Sequence, residues 1–354
     1  MAGTALVVGA TGIIGSALAQ ELVRRGWSTL GLARRPSPDA PNVVPVAADL
    51  LDQESLSMAL KHHAPTHVFL ATWTRNDTEA ENIRVNGAMV RNVLDALSPK
   101  KSVRHVGLVT GLKHYLGPFE AYAKGELPQT PLREEQPRLP IENFYYAQED
   151  EVYAAAKRDG FSWSIHRPHT VIGNAVGNAM NLGTTLAVYA TICRETGRSF
   201  RWPGSEAQWN GLSDVTDARV LAKHLVWAAE TEAAQNVAFN VVNGDVFRWN
   251  WLWPRLAKWF GVQAAGWDGT IHPLDEEMAH DGPVWREIAA RHSLAVPDLD
   301  KLASAWHTDL DLGRPLEVMT DMKNSRERGF AVFQSTEQSF LDLFTQLRAD
   351  RLIP

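Results

Sequence analysis

The feature that most narrows the fold is a glycine triplet near the N-terminus. Gly9, Gly12 and Gly15 follow one another at intervals of three, after the apolar run 4–9 (TALVVG) and ahead of the segment IIGSALAQELVRRG. In that segment Ile14, Leu18, Leu22 and Val23 recur at helical spacing. Strand, glycine turn and helix in that order predict a dinucleotide-binding turn. Gly9 permits the tight turn, Gly12 lets backbone approach a pyrophosphate, and Gly15 lets the helix pack closely on the strand, so that the helix N-terminus faces the phosphates. A glycine triplet alone is a weak signal; its position between an apolar strand and an amphipathic helix makes it a strong one.

The rest of the chain continues the alternation. Apolar runs at 28–33, 43–48, 67–72 and 105–110 read as strands, and a helix over 79–97 turns Ile83, Met89, Val90, Val93 and Leu94 inward. Two later runs, 163–167 ended by Pro168 and 237–242 ended by Asn243-Gly244, read as further strands of the same sheet. Strands apolar on both faces and alternating with helices predict a parallel sheet covered on both sides. The fold class is therefore α/β, a Rossmann-type doubly wound parallel sheet with a smaller, mostly helical C-terminal lobe. Residues 1–175 are assigned to the cofactor-binding domain, with return segments near 210–245, and 176–354 mainly to the substrate lobe. Ten of the 13 tryptophans lie after residue 200, among them Trp249, Trp251, Trp253 and Trp259, and core packing is the preferred reading of that cluster. The lobe is expected on the sheet's carboxyl edge, where open α/β sheets bind ligands. The Pro-rich stretch 128–140 is expected to be an exposed loop.

Composition removes several classes of partner. Thirty-five Lys and Arg against 41 Asp and Glu give a net charge of −6, with no long run of one sign, which argues against nucleic acid and anionic membranes. The single cysteine, Cys193, allows no internal disulfide. The first fifteen residues lack a signal-peptide pattern, and no stretch reaches the roughly 18 to 20 apolar residues of a membrane span. A soluble, cytoplasmic protein acting on a small molecule is expected, with association into homodimers left open. His62, His63, His166 and His169 lack partners at ligand spacing, so no metal site is assigned.

At the end of the second strand an NAD site would place an acid to accept from the ribose 2′-hydroxyl. Arg34 and Arg35 stand there instead, and two guanidiniums suit a 2′-phosphate, so NADPH (NADP+) is the expected cofactor. Asp49, past the third strand, is placed to meet the adenine amino group, although an acid after a strand is also a common helix cap.

The triplet's spacing resembles that of short-chain dehydrogenases/reductases, a superfamily that uses Tyr-x-x-x-Lys. The candidate segment 143–150, NFYYAQED, has Glu149 or Asp150 where lysine is expected. Taken alone, that leaves room for a noncatalytic sensor. A second segment, 110–120 (TGLKHYLGPFE), supplies Lys113 three residues past Thr110. Together with 164–168 (SIHRP), 178–183 (NAMNLG) and 240–247 (NVVNGDVF), these motifs resemble the progesterone 5β-reductase and iridoid synthase-like enone reductases, from about Leu6 to Pro354.

The resemblance implies an extended short-chain reductase fold and NADPH-dependent 1,4-reduction of activated C=C bonds. It places the catalytic tyrosine on Tyr145 and the catalytic lysine on Lys113. Hydride to the β-carbon leaves charge on the former carbonyl oxygen, which the Tyr145 hydroxyl would stabilise with Lys113 beside it. Expected cofactor contacts are Gly9, Thr11, Gly12, Ile13, Ile14, Gly15, Arg34, Arg35, Asp49, Leu50, Thr72, Trp73, Thr110, Tyr145, Val171 and Ile172. Expected substrate contacts are Trp73, Leu116, Phe119, Tyr122, Tyr146, Met180 and Asn181. The competing readings are a noncatalytic NADPH-binding regulator and an extended-family dehydrogenase or epimerase, the latter disfavoured because it would want lysine four residues past Tyr145.

Overall fold

The computed structural model describes residues 3–37, 40–118, 127–178 and 180–354. The N-terminal half runs β1 (Thr4–Val8), α1 (Ile13–Arg24), β2 (Ser28–Ala33), β3 (Val43–Ala47), α2 (Gln53–Leu60), β4 (His67–Leu70), α3 (Glu79–Leu97), β5 (His105–Val109), α4 (Lys113–Leu116), α5 (Phe144–Asp159) and β6 (Ser162–Pro168). There follow β7 (Val171–Ile172), α6 (Leu182–Thr196), β8 (Phe200–Arg201), α7 (Glu206–Asn210), β9 (Thr216–Asp217), α8 (Ala218–Glu230) and β10 (Val237–Val241). The chain ends through α9 (Trp249–Phe260), β11 (Ala264–Ala265), α10 (Leu274–Glu277), α11 (Asp281–His292), α12 (Ala305–Leu312), α13 (Lys323–Glu327) and α14 (Thr336–Ala349). Among the described residues no helix is long and apolar enough to cross a membrane.

Seven strands form one sheet in the order β10-β6-β5-β4-β1-β2-β3, every neighbouring pair parallel. The six strands that come first in the chain thus stand in the doubly wound order 3-2-1-4-5-6, with β10 added at the far edge. Side chains alternate across each strand, and β1 shows the division plainly. Leu6 and Val8 pack into a core with Leu56 and Leu60 of α2, Val90 and Val93 of α3 and Val152 of α5. Ala5 and Val7 face the other way, to Leu18 and Leu22 of α1 and Leu221 and Leu225 of α8. A sheet with apolar cover on both faces is the doubly wound architecture expected from the sequence.

The helix starts are written in the sequence. Asp52 caps α2 through the Ser55 N–H, Thr78 caps α3 through the Glu81 N–H, and Asn143 caps α5 through the Tyr145 N–H. Gly160 ends α5 with φ +80°.

The chain divides into two units. The first comprises Met1–His169, Ala218–Val241 and Asp321–Ala331, and holds the whole seven-stranded sheet. The second comprises Thr170–Asp217, Val242–Thr320 and Val332–Pro354, largely helices with the short strand pairs β7–β9 and β8–β11. Its core contains Trp202, Trp249, Trp253 and Trp285, all fully buried, with Phe200 stacked flat on Trp253 at 3.9 Å. Core packing accounts for most of the tryptophan cluster; Trp251 stays exposed with Arg255 over its ring at 4.1 Å.

The Pro-rich stretch is not simply an exposed loop. Leu132 is fully buried, its carbonyl accepts from the Asp321 N–H and from the Asn240 amide, and the Glu134 carboxylate accepts the backbone N–H groups of Asn240 and Asn324. Glu134 thereby caps a ladder amide on the sheet's edge strand β10.

Candidate active site

In the turn after β1, Gly9 adopts φ +86° and its N–H donates to the Leu32 carbonyl at 2.9 Å, fastening the turn to β2. A Cβ on Gly15 would lie 2.0 Å from the Gly9 carbonyl oxygen, so only glycine lets α1 come this close. A Cβ on Gly9 would lie 2.9 Å from Thr72 Cβ, which places Thr72 against the turn. Gly12 is the N-cap of α1 and offers no side-chain acceptor to the first-turn amides. Thr11 is exposed, Ile14 half-buried and Ile13 buried at the helix start. An uncapped helix N-terminus reached through backbone alone is the chemistry that binds a phosphate.

Arg34 and Arg35 directly follow β2, both exposed, and neither pairs with an acid among the described residues. Asp49 is exposed, and its Oδ1 accepts the Leu51 N–H at 2.9 Å, whereas α2 is capped by Asp52; the helix-cap explanation of Asp49 therefore does not hold. Leu50, expected among the cofactor contacts, turns its side chain into the core, and its carbonyl accepts from Asn92 at 2.9 Å.

A second group of side chains gathers at the ends of β4 and β5. Lys113 is the first residue of α4, and its Nζ lies 5.9 Å from the centroid of the Trp73 ring. Trp73 stacks on Phe144 at 5.3 Å, and Phe144 meets the Tyr145 ring at 4.3 Å. Tyr145 is buried, with its hydroxyl over Gly111: a Cβ there would lie 3.3 Å from the phenol oxygen and 3.5 Å from the Pro168 carbonyl. Thr110 directly follows β5, its N–H and hydroxyl both directed to the His166 carbonyl at 2.8 and 3.4 Å. Leu116 is buried at the end of α4.

One side chain binds this group together. Asn143 Oδ1 accepts the Tyr145 N–H at 3.0 Å, and its Nδ2 donates to the Lys113 carbonyl at 2.8 Å. Asn143 carries no role in the sequence reading, although an Asn directly before a helical aromatic run is a recognisable N-cap signal.

Other side chains of the motifs are engaged elsewhere. Tyr146 is not free to meet substrate through its hydroxyl, which donates to the His114 carbonyl at 2.7 Å and accepts the Leu139 N–H at 2.9 Å; burial pushes this phenol's pKa up. Glu149, four residues past Tyr145, cannot replace the missing lysine: it is buried and paired with Arg138 at 2.8 Å and Arg167 at 3.4 Å. Asn181, expected at the substrate, is spent within the second unit, where it caps α6 through the Thr184 N–H and donates to the Ala175 carbonyl. In that unit Ile172 is a core residue of β7, while Val171 and Met180 are half-buried. Phe119 and Tyr122 lie outside the described residues.

Comparison with known proteins bears on this arrangement. The model of the PRISE-like Rossmann-fold domain matches residues 20–354. The chain is 40% identical over 363 residues to (S)-8-oxocitronellyl enol synthase ISY1 of Nepeta cataria, an alignment covering 99% of this chain and 93% of that one. It is 38% identical over 364 residues to the 3-oxo-Delta(4,5)-steroid 5-beta-reductase of Arabidopsis thaliana, at 99% and 93% coverage. Among solved structures, UDP-glucose 4-epimerase of Thermotoga maritima superposes with a TM-score of 0.69 at 14% identity, covering 98% of this chain and 99% of that one, a likeness of fold. The chain belongs to the PRISE-like Rossmann-fold family and is an oxidoreductase.

Proposed function

We propose that the protein is an NADPH-dependent reductase of activated enones, with Tyr145 as the group that receives the reacting oxygen and Lys113 as its electrostatic partner. The observation that carries the reading is the Asn143 clamp: in a chain whose Tyr-x-x-x-Lys lysine is replaced by an ion-paired Glu149, a single amide ties the backbone of Lys113 to the backbone of Tyr145. Full-length likeness to a named enol synthase and a named steroid 5-beta-reductase supports the same chemistry.

The residues present fit a dinucleotide. The close-packed glycine turn and uncapped α1 would hold the pyrophosphate, and Arg34 and Arg35 the 2′-phosphate, through charge-assisted hydrogen bonds. Bound NADPH supplies a hydride.

Reduction at the β-carbon moves negative charge onto the carbonyl oxygen, so the protein must offer a donor at that oxygen. A phenol in a dry site is such a donor, and Tyr145 is buried with its ring held by Phe144 and its hydroxyl against Gly111. An ammonium in this region strengthens the donor by favouring the phenol's charged form. Trp73, stacked on Phe144, gives the centre an apolar wall. The charge must have an oxygen to occupy, so the substrate class is an alkene conjugated to a carbonyl.

The test is NADPH consumption across a panel of cyclic and open-chain enones, isolated alkenes and saturated ketones. Turnover confined to the conjugated compounds is expected. Brisk oxidation of secondary alcohols with no enone turnover would replace this reading with an alcohol dehydrogenase.

A further inference from the structure

A buried carboxylate joins three elements of the reacting centre. Glu79, the first residue of α3, is 8% exposed. Its Oε1 accepts the backbone N–H of Phe144 at 2.6 Å, and its Oε2 accepts from Asn82 Nδ2 at 3.2 Å. Phe144 opens α5, so its amide is one of the donors that a helix leaves without an internal partner. The two amides at the start of α5 are thus served by different residues: Tyr145 by Asn143, Phe144 by Glu79.

The chain of contacts continues into the loop that carries Trp73. Asn82 Oδ1 accepts the Asn76 N–H at 2.7 Å, and Asn86 holds Thr74 from both sides, accepting its N–H at 2.8 Å and donating to its carbonyl at 2.9 Å. Trp73 stacks on Phe144, so Glu79 anchors the backbone beneath one ring of this stack while its Asn82 contact steadies the loop bearing the other. A buried anion is tolerable here because it sits at two helix N-termini, that of α3 and that of α5, each worth roughly half a positive charge.

We propose that Glu79 is a positioning residue for the reaction: its carboxylate fixes the first turn of α5 against the Trp73 loop and so holds the Tyr145 hydroxyl over Gly111. The inference rests on the reading of Tyr145 as the donor to the reacting oxygen. A carboxylate is called for because the Phe144 N–H and the Asn82 amide group that it meets are both donors, and Asn82 cannot turn its amide round without surrendering Asn76. Glutamine would keep an acceptor for Phe144 but set an NH2 against the Asn82 NH2.

The experiment measures kcat on a weakly activated enone and the Kd for NADPH, by fluorescence, in the full chain. The variants are Glu79→Ala, Glu79→Gln and Tyr145→Phe, with Glu79→Ala also made in the Tyr145→Phe background. Misplacing the donor should lower kcat in Glu79→Ala by roughly 10- to 100-fold. The Kd for NADPH should change much less than kcat, because the glycine turn and Arg34 and Arg35 are untouched, and retained binding also shows that the variant is folded. Glu79→Gln should fall between wild type and Glu79→Ala, and serves as the test if the alanine variant does not fold. In the Tyr145→Phe background Glu79→Ala should cost little more, because groups that act as a unit are not additive. Wild-type kcat in Glu79→Ala or Glu79→Gln, or an undiminished further loss in the Tyr145→Phe background, would overturn the inference. A wild type that turns over no enone, or a fully active Tyr145→Phe, would overturn the functional reading and this inference with it.

Discussion

The backbone carbonyl of Lys113 and the backbone N–H of Tyr145 are joined through the two ends of one buried amide, that of Asn143, at 2.8 and 3.0 Å. Residues 32 positions apart therefore share one mechanical unit. Asn143→Ser keeps a good N-cap for α5 but loses the donor to Lys113, whereas Asn143→Ala loses both and should cost about 1 kcal/mol of stability for the cap alone. The serine variant should keep its Tm near wild type while kcat falls; the alanine variant should lose both. Equal kcat in wild type and Asn143→Ser would show that the link to Lys113 is idle.

Tyr145 and Tyr146 are expected to respond differently to loss of the hydroxyl. Tyr145→Phe removes the hydroxyl proposed to meet the reacting oxygen and should lower kcat by about 10²- to 10³-fold with NADPH still bound. Tyr146→Phe leaves the His114 carbonyl and the Leu139 N–H without their partner and should cost about 1–3 kcal/mol of stability with kcat largely kept. Steady-state kinetics beside thermal unfolding separate the two. A Tyr146→Phe protein of full stability and lost activity would exchange their roles.

These two tyrosines also mark where sequence reasoning stops. The sheet and its helices were legible because periodicity and caps agree: α3 spans Glu79–Leu97 as expected, with Thr78 as its cap, and β2 spans Ser28–Ala33. Tyr145 and Tyr146 share one motif, and nothing in that motif says which hydroxyl the segment before the helix will claim. The return of Asp321–Ala331 to the first unit was not legible either, since its only helix, α13, has five residues and too little pattern to read. Glu134 and Leu132 look like loop residues until the partners Asn240, Asp321 and Asn324 arrive from far along the chain.

If Arg34 and Arg35 hold the 2′-phosphate as proposed, Arg34→Ala with Arg35→Ala should raise the KM for NADPH about tenfold or more, since each charged contact is worth roughly 1.5 to 3 kcal/mol. The KM for NADH should change little. Equal losses with both cofactors would show that these arginines do not read the 2′-phosphate.

Stability should fall on the acid side for a reason built into the sheet. Ser162, His105, Ser164, His166, His224 and Ser325 form a continuous hydrogen-bonded chain with contacts of 2.8 to 3.0 Å. Burial holds His105 and His224 down to about 3, against 6.5 for a free imidazole, so the fold keeps these rings neutral. Their contribution is complete above pH 6.5 and is lost as pH falls from 6.5 toward 3. Tm measured across that range should drop, and His224→Gln, which does not titrate, should make the slope shallower. An unchanged slope would place the acid sensitivity elsewhere. Glu134 acts in the opposite direction: burial raises it from 4.5 to about 7, so its contribution is complete below pH 4.5 and is lost as pH climbs from there through 7.

A 1,4-reduction of a conjugated C=C bond is distinguished from carbonyl reduction by the position of the transferred hydrogen. Cyclohexenone incubated with the protein and NADPH deuterated at both C4 positions should give cyclohexanone carrying one deuterium on the former β-carbon, read by NMR. Deuterium on the carbinol carbon of an allylic alcohol, with the C=C bond intact, would make the protein a carbonyl reductase and not an enone reductase.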